Sequence, residues 1–317
     1  MKQSFLQSKY WESFRNSLGQ KTFWIDNNLL VKVPLILGQS YLYCPRCVFK
    51  DKDSFNKFIK ESRKIAQAEG IFFLRFEPQF VCDDIKLNKE MFKQVESRQP
   101  AQTLCIDLSK SLDEILANAK QKTRYNIKLA KKKGVKIYTS TDIKDLNKFY
   151  NLAEETANRD NIRFHDRTYY GNMIEILGKE GKIKFYFAKY KNKDIACAIS
   201  VRYGNTFYYL HGASSNEYRN VMAPYLLQWQ MIKDAKELGH KIYDFWGCAP
   251  LIQEVDKDGI KKFKIKDENH SWVGITKFKL GFAPTTLTGK YIEYPGCYEI
   301  SYGKKRYLLY SMFKKVV

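Results

Sequence analysis

The sequence predicts an α/β fold of the α+β type, in which mixed sheets are flanked by helices. Three observations favour this class. The chain has 317 residues, more than the ~100 to 200 of one typical domain. Residues 143–250 alternate between helical and strand patterns, and a weaker copy of the same order precedes residue 140. We therefore predict two domains that divide near residue 142.

The second half carries the clearer pattern. Turn signals at 191–194 and 204–205 separate short apolar strands, and Gly239 ends an amphipathic helix. The predicted elements are helices at 146–159 and 169–177, strands at 183–189, 195–203 and 206–212, a helix at 223–238 and a strand at 241–246. Helices, an antiparallel meander, a central helix and a further strand are the arrangement of the GNAT acyltransferase fold. The first half predicts helices at 9–17 and 53–69 and a strand at 71–76.

The charge balance indicates an anionic partner. Fifty-five Lys and Arg against 34 Asp and Glu leave a formal charge of +21. This field suits nucleic acid, a nucleotide-linked substrate or the inner face of an anionic membrane. A lysine-rich proteome would raise the charge of every protein, so charge alone does not choose among these partners.

The chain shows no apolar run of about 20 residues and no secretory h-region at its start, which predicts a cytoplasmic protein without a membrane span. Seven scattered cysteines favour reduced thiols over a disulfide framework. Cys44 and Cys47 have a metal-like spacing, but a zinc site needs a second ligand pair. We expect no metal, and we interpret these two cysteines as structural.

One basic helix is predicted between Asp113 and Gly134. Eight Lys or Arg follow Leu116 up to Ile137, with no acid among them. The predicted buried face consists of Leu116, Ala119, Thr123, Ile127 and Ala130, and the basic stripe consists of Lys120, Arg124, Lys128 and Lys131. Because interspersed acids are missing, we favour phosphate contact, as in tRNA binding, over a merely solvated face.

The loop before the central helix argues against coenzyme A. Acyl-coenzyme A binding in a GNAT fold needs glycines there, so that backbone N–H groups can hold the pyrophosphate. Residues 217–224 contain no glycine, and Pro224 removes a donor at the helix start. We expect no coenzyme A and no other cofactor.

Five segments in order carry a family resemblance that extends over nearly the whole chain. They are Gln121-Lys-Thr-Arg-Tyr-Asn-Ile-Lys128, Tyr209-Leu-His-Gly-Ala-Ser-Ser215, Ala223-Pro-Tyr-Leu-Leu-Gln-Trp229, Tyr243-Asp-Phe-Trp-Gly247 and Gly274-Ile-Thr-Lys-Phe-Lys-Leu-Gly-Phe282. Together they resemble the FemABX peptidyltransferases, in the shorter FemX-like form without a coiled-coil arm.

The resemblance implies tandem GNAT-like domains, with residues 1–142 plus 290–317 forming the first and residues 143–289 the second. It also implies an enzyme of peptidoglycan and cell-wall biosynthesis, and hence of cell shape. Such an enzyme is an aminoacyltransferase that moves an amino acid from aminoacyl-tRNA, its co-substrate, to the stem peptide of a UDP-linked or lipid-linked muropeptide. The alternatives are a transferase with a protein or other amine as acceptor, and a non-catalytic nucleic-acid-binding protein.

The resemblance also assigns candidate site residues. Lys279 matches the family's lysine that stabilises charge in the reaction, which is chemically reasonable because ester aminolysis develops an oxyanion. Its alternative is a surface lysine. Arg167 and Tyr170 fall where the family binds precursor phosphates, although a shift of one position would put Asp166 or Tyr169 there. Arg15 stands where a substrate-binding lysine is expected.

Two further candidates have structural alternatives. His211 stands where some relatives carry a ligand-binding tyrosine; it could donate to a phosphate, accept a proton from the attacking amine, or form a structural hydrogen bond. Asp244 could orient a substrate amine, but an Asp before Gly247 more often caps a turn, which is the role we favour.

Overall fold

In the computed structural model, which describes residues 3–160 and 162–313, the chain forms two compact units. The first comprises Met1–Ala101 with Tyr294–Val317, and the second comprises Gln102–Glu293. Residues 102–142 thus lie in the second unit, whereas the sequence placed them in the first. The reason is a non-local pairing, since the strand at 102–107 is hydrogen-bonded to two strands that follow it by more than a hundred residues.

The strands and helices account for most of both units. The strands are β1 (Thr22–Ile25), β2 (Asn28–Pro34), β3 (Ser40–Cys47), β4 (Phe73–Pro78), β5 (Lys93–Val95), β6 (Gln102–Asp107), β7 (Lys136–Ser140), β8 (Ile183–Tyr190), β9 (Lys193–Tyr203), β10 (Thr206–Ser214), β11 (Ile242–Gly247), β12 (Leu251–Val255), β13 (Lys261–Ile265), β14 (Gly289–Glu293) and β15 (Cys297–Ser301). The helices are α1 (Lys9–Ser17), α2 (Lys52–Ala68), α3 (Leu112–Asn118), α4 (Gln121–Lys132), α5 (Leu146–Asp160), α6 (Arg167–Lys179), α7 (Ala223–Glu237), α8 (Val273–Leu280) and α9 (Lys304–Phe313).

A six-stranded sheet forms the first unit, in the order β1-β2-β3-β4-β15-β5. Its β3 and β4 are parallel. The connecting helix α2 begins at Lys52 because the Asp51 carboxylate accepts the Ser54 backbone N–H at 2.8 Å and the Ser54 hydroxyl accepts the Asp51 N–H. Its apolar face, including Phe55 and Phe58, packs into the main core of this unit.

A seven-stranded sheet forms the second unit, in the order β14-β6-β11-β10-β9-β8-β7, with β12 and β13 as a separate hairpin. The predicted meander is confirmed as β8, β9 and β10, followed by α7 and by β11, which is parallel to β10. The same order occurs in the first unit, where β1, β2 and β3 lead through α2 to the parallel strand β4. The tandem arrangement predicted from the element order is therefore confirmed.

The prediction of one continuous basic helix is wrong, because this segment forms two helices, α3 and α4. Ala119 has an extended backbone (φ −62°, ψ 148°), and the N–H of Lys120 donates to the carbonyl of Gly281 at 2.8 Å instead of continuing the helix. The expected buried face persists across the break, since Ala119, Thr123, Ile127 and Ala130 are all buried and Leu116 is half-buried.

The cysteines predicted to be structural are buried side chains of β3. Burial raises the pKa of the Cys47 thiol well above its ordinary value, so this thiol is poorly reactive. Among residues 3–160 and 162–313, the structure brings together no group of three or more His, Cys, Asp or Glu side chains suited to a metal ion. Of the helices in this same part of the chain, none combines the length and apolar content that a bilayer crossing requires.

Candidate active site

The two parallel strands of the second unit separate partway along their length. β10 pairs with β11 from Thr206 and Ile242 to Tyr208 and Asp244, where this pairing ends although both strands continue. A β-bulge shifts the register of β10 against β9 between Tyr209 and His211, and β11 shifts against β6 beyond Asp244. Trp246, with φ at 61°, bends β11 there. The bulges thus open a gap between two adjacent strands.

Lys279 projects from α8 toward the end of β11. Its side chain is buried, with 4% of its surface exposed, and its Nζ donates to the carbonyl of Gly247 and lies 5.8 Å from the centre of the Tyr209 ring. Burial lowers the pKa of Lys279 to about 8, against the opposing influence of Cys248 and Asp244. This burial rules out the surface-lysine alternative.

Helix α8, which carries Lys279, is hydrogen-bonded to the segment that follows β11. The Thr276 hydroxyl, buried on the same helix, accepts the backbone N–H of Ala249 at 2.8 Å. At the other end of α8, Gly281 lies against Thr123 of α4 so closely that a Cβ would come within 2.4 Å of the Thr123 hydroxyl oxygen. These contacts fix the position of the cation relative to the gap.

Asp244 takes the turn-capping position that the sequence favoured. Its carboxylate accepts the backbone N–H of Trp246 at 2.7 Å and the hydroxyl of Thr103. The Thr103 side chain also lies 2.6 Å from the carbonyl of Trp246. Asp244 therefore holds the bend in β11 and places a negative charge in the surroundings of Lys279.

A buried hydrogen-bonded chain beside Lys279 was not predicted from the sequence. The Tyr243 hydroxyl donates to the Gln228 side-chain carbonyl, and burial raises the pKa of Tyr209, an effect that the Gln228 side chain opposes. Gly212 makes room for this tyrosine, since a Cβ there would come within 2.0 Å of the Tyr209 hydroxyl oxygen. The segment from Tyr209 to Gly212 belongs to the family resemblance. The structure explains the pairing of these two residues, because the bulge between Tyr209 and His211 brings the Tyr209 side chain against Gly212.

His211 lies in an aromatic cluster beyond the bulge. Its ring centre is 5.1 Å from that of Tyr170 and 6.2 Å from that of His165. Burial, with a smaller contribution from His165, lowers the pKa of His211 to about 3. The ring is therefore neutral near neutral pH and a weak base, which favours hydrogen bonding over proton acceptance.

Tyr170 and Arg167 have opposite environments on α6. Tyr170 was predicted to contact phosphate, but its side chain is fully buried, so its hydroxyl cannot reach a ligand at the surface without rearrangement. Arg167 is exposed; it donates to the Asn147 amide oxygen at 2.6 Å and lies 4.5 Å from the centre of the Tyr150 ring. Of this pair, Arg167 alone is accessible.

The neighbouring alternatives also have defined places. Asp166 caps α6 by accepting the N–H of Tyr169 at 2.8 Å, which is a structural role. Tyr169 is half-buried and stacks on His165, with 3.8 Å between the ring centres. A shift of one position would therefore exchange Tyr170 for a more accessible tyrosine.

The basic stripe is only partly available to a ligand. Lys120, Lys128 and Lys131 are exposed, in or immediately before α4. Arg124 is half-buried and donates to the carbonyls of Ala117, at 2.9 Å, and Ala119, so it caps the C-terminus of α3. Three lysines thus remain as candidates for phosphate contact.

Arg15 belongs to the first unit, on α1. Its side chain is half-buried, with the guanidinium carbon 6.0 Å from the centre of the Trp11 ring. Lys279, Asp244 and His211 all belong to the second unit.

Comparison with known proteins identifies the fold class of this chain. The family model described as acetyltransferase (GNAT) domain matches residues 117–258. A structure of FemX superimposes with a TM-score of 0.77 at 20% identity, over 96% of this chain and 94% of that one. A tandem GNAT protein from the clavulanic acid biosynthesis pathway gives a TM-score of 0.50 at 11% identity, covering 87% and 79%. The chain therefore has a tandem GNAT fold, as predicted.

Sequence comparison with curated proteins identifies more specific relatives within this fold class. The lipid II:glycine glycyltransferase of Staphylococcus haemolyticus is 22% identical over 276 residues, covering 63% of this chain and 66% of that protein. The Staphylococcus aureus protein of the same name is 22% identical over 289 residues, covering 66% and 68%. The chain spans about two thirds of the length of these relatives. The resemblance to FemX-like members of the FemABX peptidyltransferases is confirmed.

Proposed function

We propose that this protein is an aminoacyltransferase that adds an amino acid to the stem peptide of a peptidoglycan precursor. The observation that carries the proposal is the buried Lys279 at the gap between β10 and β11, in a fold shared with FemX. The names of the curated relatives support a lipid-linked acceptor and glycine as the first combination to test.

In the proposed reaction, the stem-peptide amine attacks the ester carbonyl that joins the amino acid to tRNA. A C–N bond forms, the C–O bond to the tRNA ribose breaks, and the proton lost by the amine is taken up by the leaving oxygen. The tetrahedral intermediate carries an oxyanion, and a fixed ammonium group within hydrogen-bonding distance stabilises it. With a pKa of about 8, Lys279 is mainly protonated near neutral pH.

The Gly247 carbonyl has a defined part in this mechanism. By accepting one N–H of Lys279, it orients the ammonium group while leaving donors for the oxyanion. Because a lysine amine carries three hydrogens only when charged, the proposed role requires the protonated form. Tyr209 of β10 lies beside the ammonium group, with its ring centre 5.8 Å from the Lys279 Nζ.

Aminoacyl-tRNA is the proposed donor. The exposed Lys120, Lys128 and Lys131 supply positive charge on the same unit as Lys279. Phosphate contacts of this kind add affinity without base specificity. Neither metal nor coenzyme A has a part in this proposal, and Met222, in a left-handed conformation, together with Pro224 occupies the turn where a pyrophosphate-binding loop would need glycines. We expect no measurable binding of acetyl-coenzyme A in calorimetry.

We also propose that the acceptor is the stem peptide of a muropeptide and that the protein acts inside the cell. An intracellular enzyme would meet both charged tRNA and the cytoplasmic precursor. A transferase with a protein or other amine as acceptor would use the same donor chemistry, and a non-catalytic nucleic-acid-binding protein would use only the basic surface.

A single experiment separates these functions. The purified protein is incubated with a mixture of charged tRNAs and either the UDP-linked or the lipid-linked muropeptide, and the products are analysed by mass spectrometry. We expect a muropeptide heavier by one amino-acid residue, formed about 10² to 10³ times more slowly by the Lys279→Met variant and at a near-normal rate by Lys277→Met, which removes an exposed lysine of the same helix. Binding of tRNA without any product on either muropeptide would overturn the proposal.

A further inference from the structure

One end of the first unit exposes apolar side chains beside basic ones. The exposed fractions are 71% for Ile36, 88% for Leu37, 59% for Leu308, 56% for Leu309 and 57% for Met312. Lys304, Lys305 and Arg306 are also exposed, and they form the start of α9, before Leu308, Leu309 and Met312. We call these eight residues the apolar-basic patch.

The sheet topology brings the two segments of the patch to one end. The loop with Ile36 and Leu37 joins β2 to β3 and ends where β3 starts, at Ser40. β4 is parallel to β3 and starts at that end with Phe73, which pairs with Ser301, the last residue of β15. α9 begins three residues later, at Lys304. Loop and helix therefore lie at the same end of these strands.

Both segments are anchored by their other faces. Leu35, Tyr307 and Tyr310 pack against one small core formed by Val31, Val33, Tyr41, Tyr43, Phe72 and Phe73. The N–H of Tyr302 donates to the carbonyl of Phe72 at 2.7 Å and fixes the start of α9. The exposed side chains of the helix thus belong to a face that this core does not cover, whereas Tyr307 and Tyr310 on its other face pack against the core.

Leu37 is in a conformation that its own contacts do not explain. Its φ and ψ of 55° and 36° lie in the left-handed region, where a residue with a branched side chain is disfavoured. The side chain is almost fully exposed, so burial within the chain does not offset this cost. An apolar side chain held outward at a loop tip is suited to insertion into an apolar phase outside the protein.

The charge of the patch selects the kind of partner. The ten residues of α9 include three basic side chains and no acid. A second copy of this chain would bring two such basic faces together, each on a protein with a formal charge of +21. An anionic lipid surface instead offers opposite charge to the basic residues and an apolar interior to the leucines.

We propose that the apolar-basic patch binds the surface of an anionic membrane, with Leu37 and the outer face of α9 entering the interface and the basic residues contacting lipid phosphates. This inference rests on the first unit alone and does not depend on the transferase activity. A peripheral interaction of this kind would hold the protein where a lipid-linked substrate is displayed.

The test measures co-sedimentation of the full-length protein with vesicles. Vesicles of phosphatidylglycerol mixed with phosphatidylcholine are compared with vesicles of phosphatidylcholine alone. We expect binding to the anionic vesicles and a loss of about tenfold or more in partition coefficient for two variants. One combines Leu37→Gly, Leu308→Ser, Leu309→Ser and Met312→Ser, and the other combines Lys304→Gln, Lys305→Gln and Arg306→Gln.

Two matched variants of the second unit control for general loss of charge or apolar surface. One combines Leu238→Ser, Ile252→Ser, Val255→Ser and Leu287→Ser, four exposed apolar side chains, and the other Lys257→Gln, Lys261→Gln and Lys266→Gln, three exposed lysines. We expect both to bind vesicles within about twofold of the wild type. Circular dichroism checks that each variant is folded, and the single change Leu37→Gly, which suits the left-handed backbone, provides a variant that keeps the fold.

Several results would overturn the proposal. They are equal binding to both kinds of vesicle, no binding to either, and patch variants that bind like the wild type. Light scattering provides the last arm: a change of oligomeric state in the apolar variant, with vesicle binding unchanged, would identify the patch as a self-association surface. The transferase assay with the UDP-linked muropeptide needs no membrane, so its outcome is independent of this test.

Discussion

The two parallel strand pairs of this protein have the same place in the element order but differ in how far they pair. In the second unit, β10 and β11 separate beyond Tyr208 and Asp244. In the first unit, β3 and β4 remain paired to their last residues, Cys47 and Pro78. The bulge at Arg46 does not part them. A GNAT-like order of elements is therefore not sufficient for an open gap between the strands.

A buried charged side chain lies near the end of each parallel strand pair, Glu77 in the first unit and Lys279 in the second. The two side chains differ in how many hydrogen-bond partners they have. Glu77 at the end of β4 is buried and accepts the backbone N–H groups of Arg98 and Gln99, at 2.8 and 3.1 Å, and the Tyr43 hydroxyl at 3.0 Å. Both oxygens of the carboxylate thus accept hydrogen bonds, as expected for a buried structural group. Among the residues that the structure describes, Lys279 instead has one acceptor, the Gly247 carbonyl, for its three N–H donors. The comparison predicts stability effects in the first unit and activity effects in the second.

The largest expected effect concerns the buried ion pair between Arg75 and Glu299 in the first unit. The Arg75 Nε donates to the Glu299 carboxylate at 2.8 Å, and both side chains are nearly inaccessible. Glu299→Ala leaves a buried guanidinium without its partner, and we expect the free energy of unfolding to fall by about 3–5 kcal/mol. Denaturant unfolding measures it. The control Glu254→Ala, which breaks an exposed pair with Lys264, should cost at most about 1 kcal/mol; similar losses for both variants would contradict this prediction.

The second prediction concerns catalysis in the second unit. Replacing Lys279 by Met removes the cation while keeping an unbranched apolar stem, so the turnover rate should fall by about 10² to 10³ with little change in precursor affinity. Single-turnover rates and a dissociation constant from one preparation separate these effects. Lys277→Met is the matched control, since its amine is exposed and pairs with Glu268 at 2.7 Å. Near-normal turnover of Lys279→Met would remove Lys279 from the mechanism.

A third prediction follows from the lowered pKa of Lys279. Because the proposed active form is protonated, the contribution of Lys279 to turnover should be lost as the pH rises through about 8, by roughly tenfold for each further pH unit. The substrate amine titrates in the same range, so the informative quantity is the ratio of wild-type turnover to that of Lys279→Arg. An arginine stays charged throughout. A ratio that is constant across this range would exclude Lys279 as the titrating group.

Regular local patterns made much of the fold predictable. The meander from β8 to β10, helix α7 and strand β11 follow from strand and helix periodicities interrupted by turn residues. The break between α3 and α4 was missed because the helical spacing of buried residues continues in phase through Ala119. What ends α3 there is a long-range hydrogen bond, from Lys120 to Gly281. The domain limit at Gln102 was missed for a similar reason, since it depends on the non-local pairing of β6.

Site residues could be predicted from the sequence only where they lie in a motif of the family resemblance. Lys279 was found through the family resemblance, and the structure adds its burial and its contact with Gly247. Tyr170 illustrates the limit, because the motif alone does not reveal that its side chain faces the core. Gln228 lies on the predicted helix α7, but its place beside Tyr209 and Tyr243 depends on a bulge in β10, which produces no local sequence signal.

The smallest expected effect concerns the basic stripe, which the structure reduces to three accessible lysines. Since Arg124 caps α3, its replacement would combine a structural loss with any loss of tRNA contact, and it is best left intact. We expect the combination Lys120→Gln, Lys128→Gln and Lys131→Gln to weaken tRNA binding a few-fold at moderate salt and to lower the slope of log affinity against log salt by roughly 2 to 3. A salt titration measures both. The triple variant of Lys257, Lys261 and Lys266 removes the same charge from exposed positions near the β12–β13 hairpin, so an equal change in both variants would mean that net charge, and not this stripe, determines the affinity.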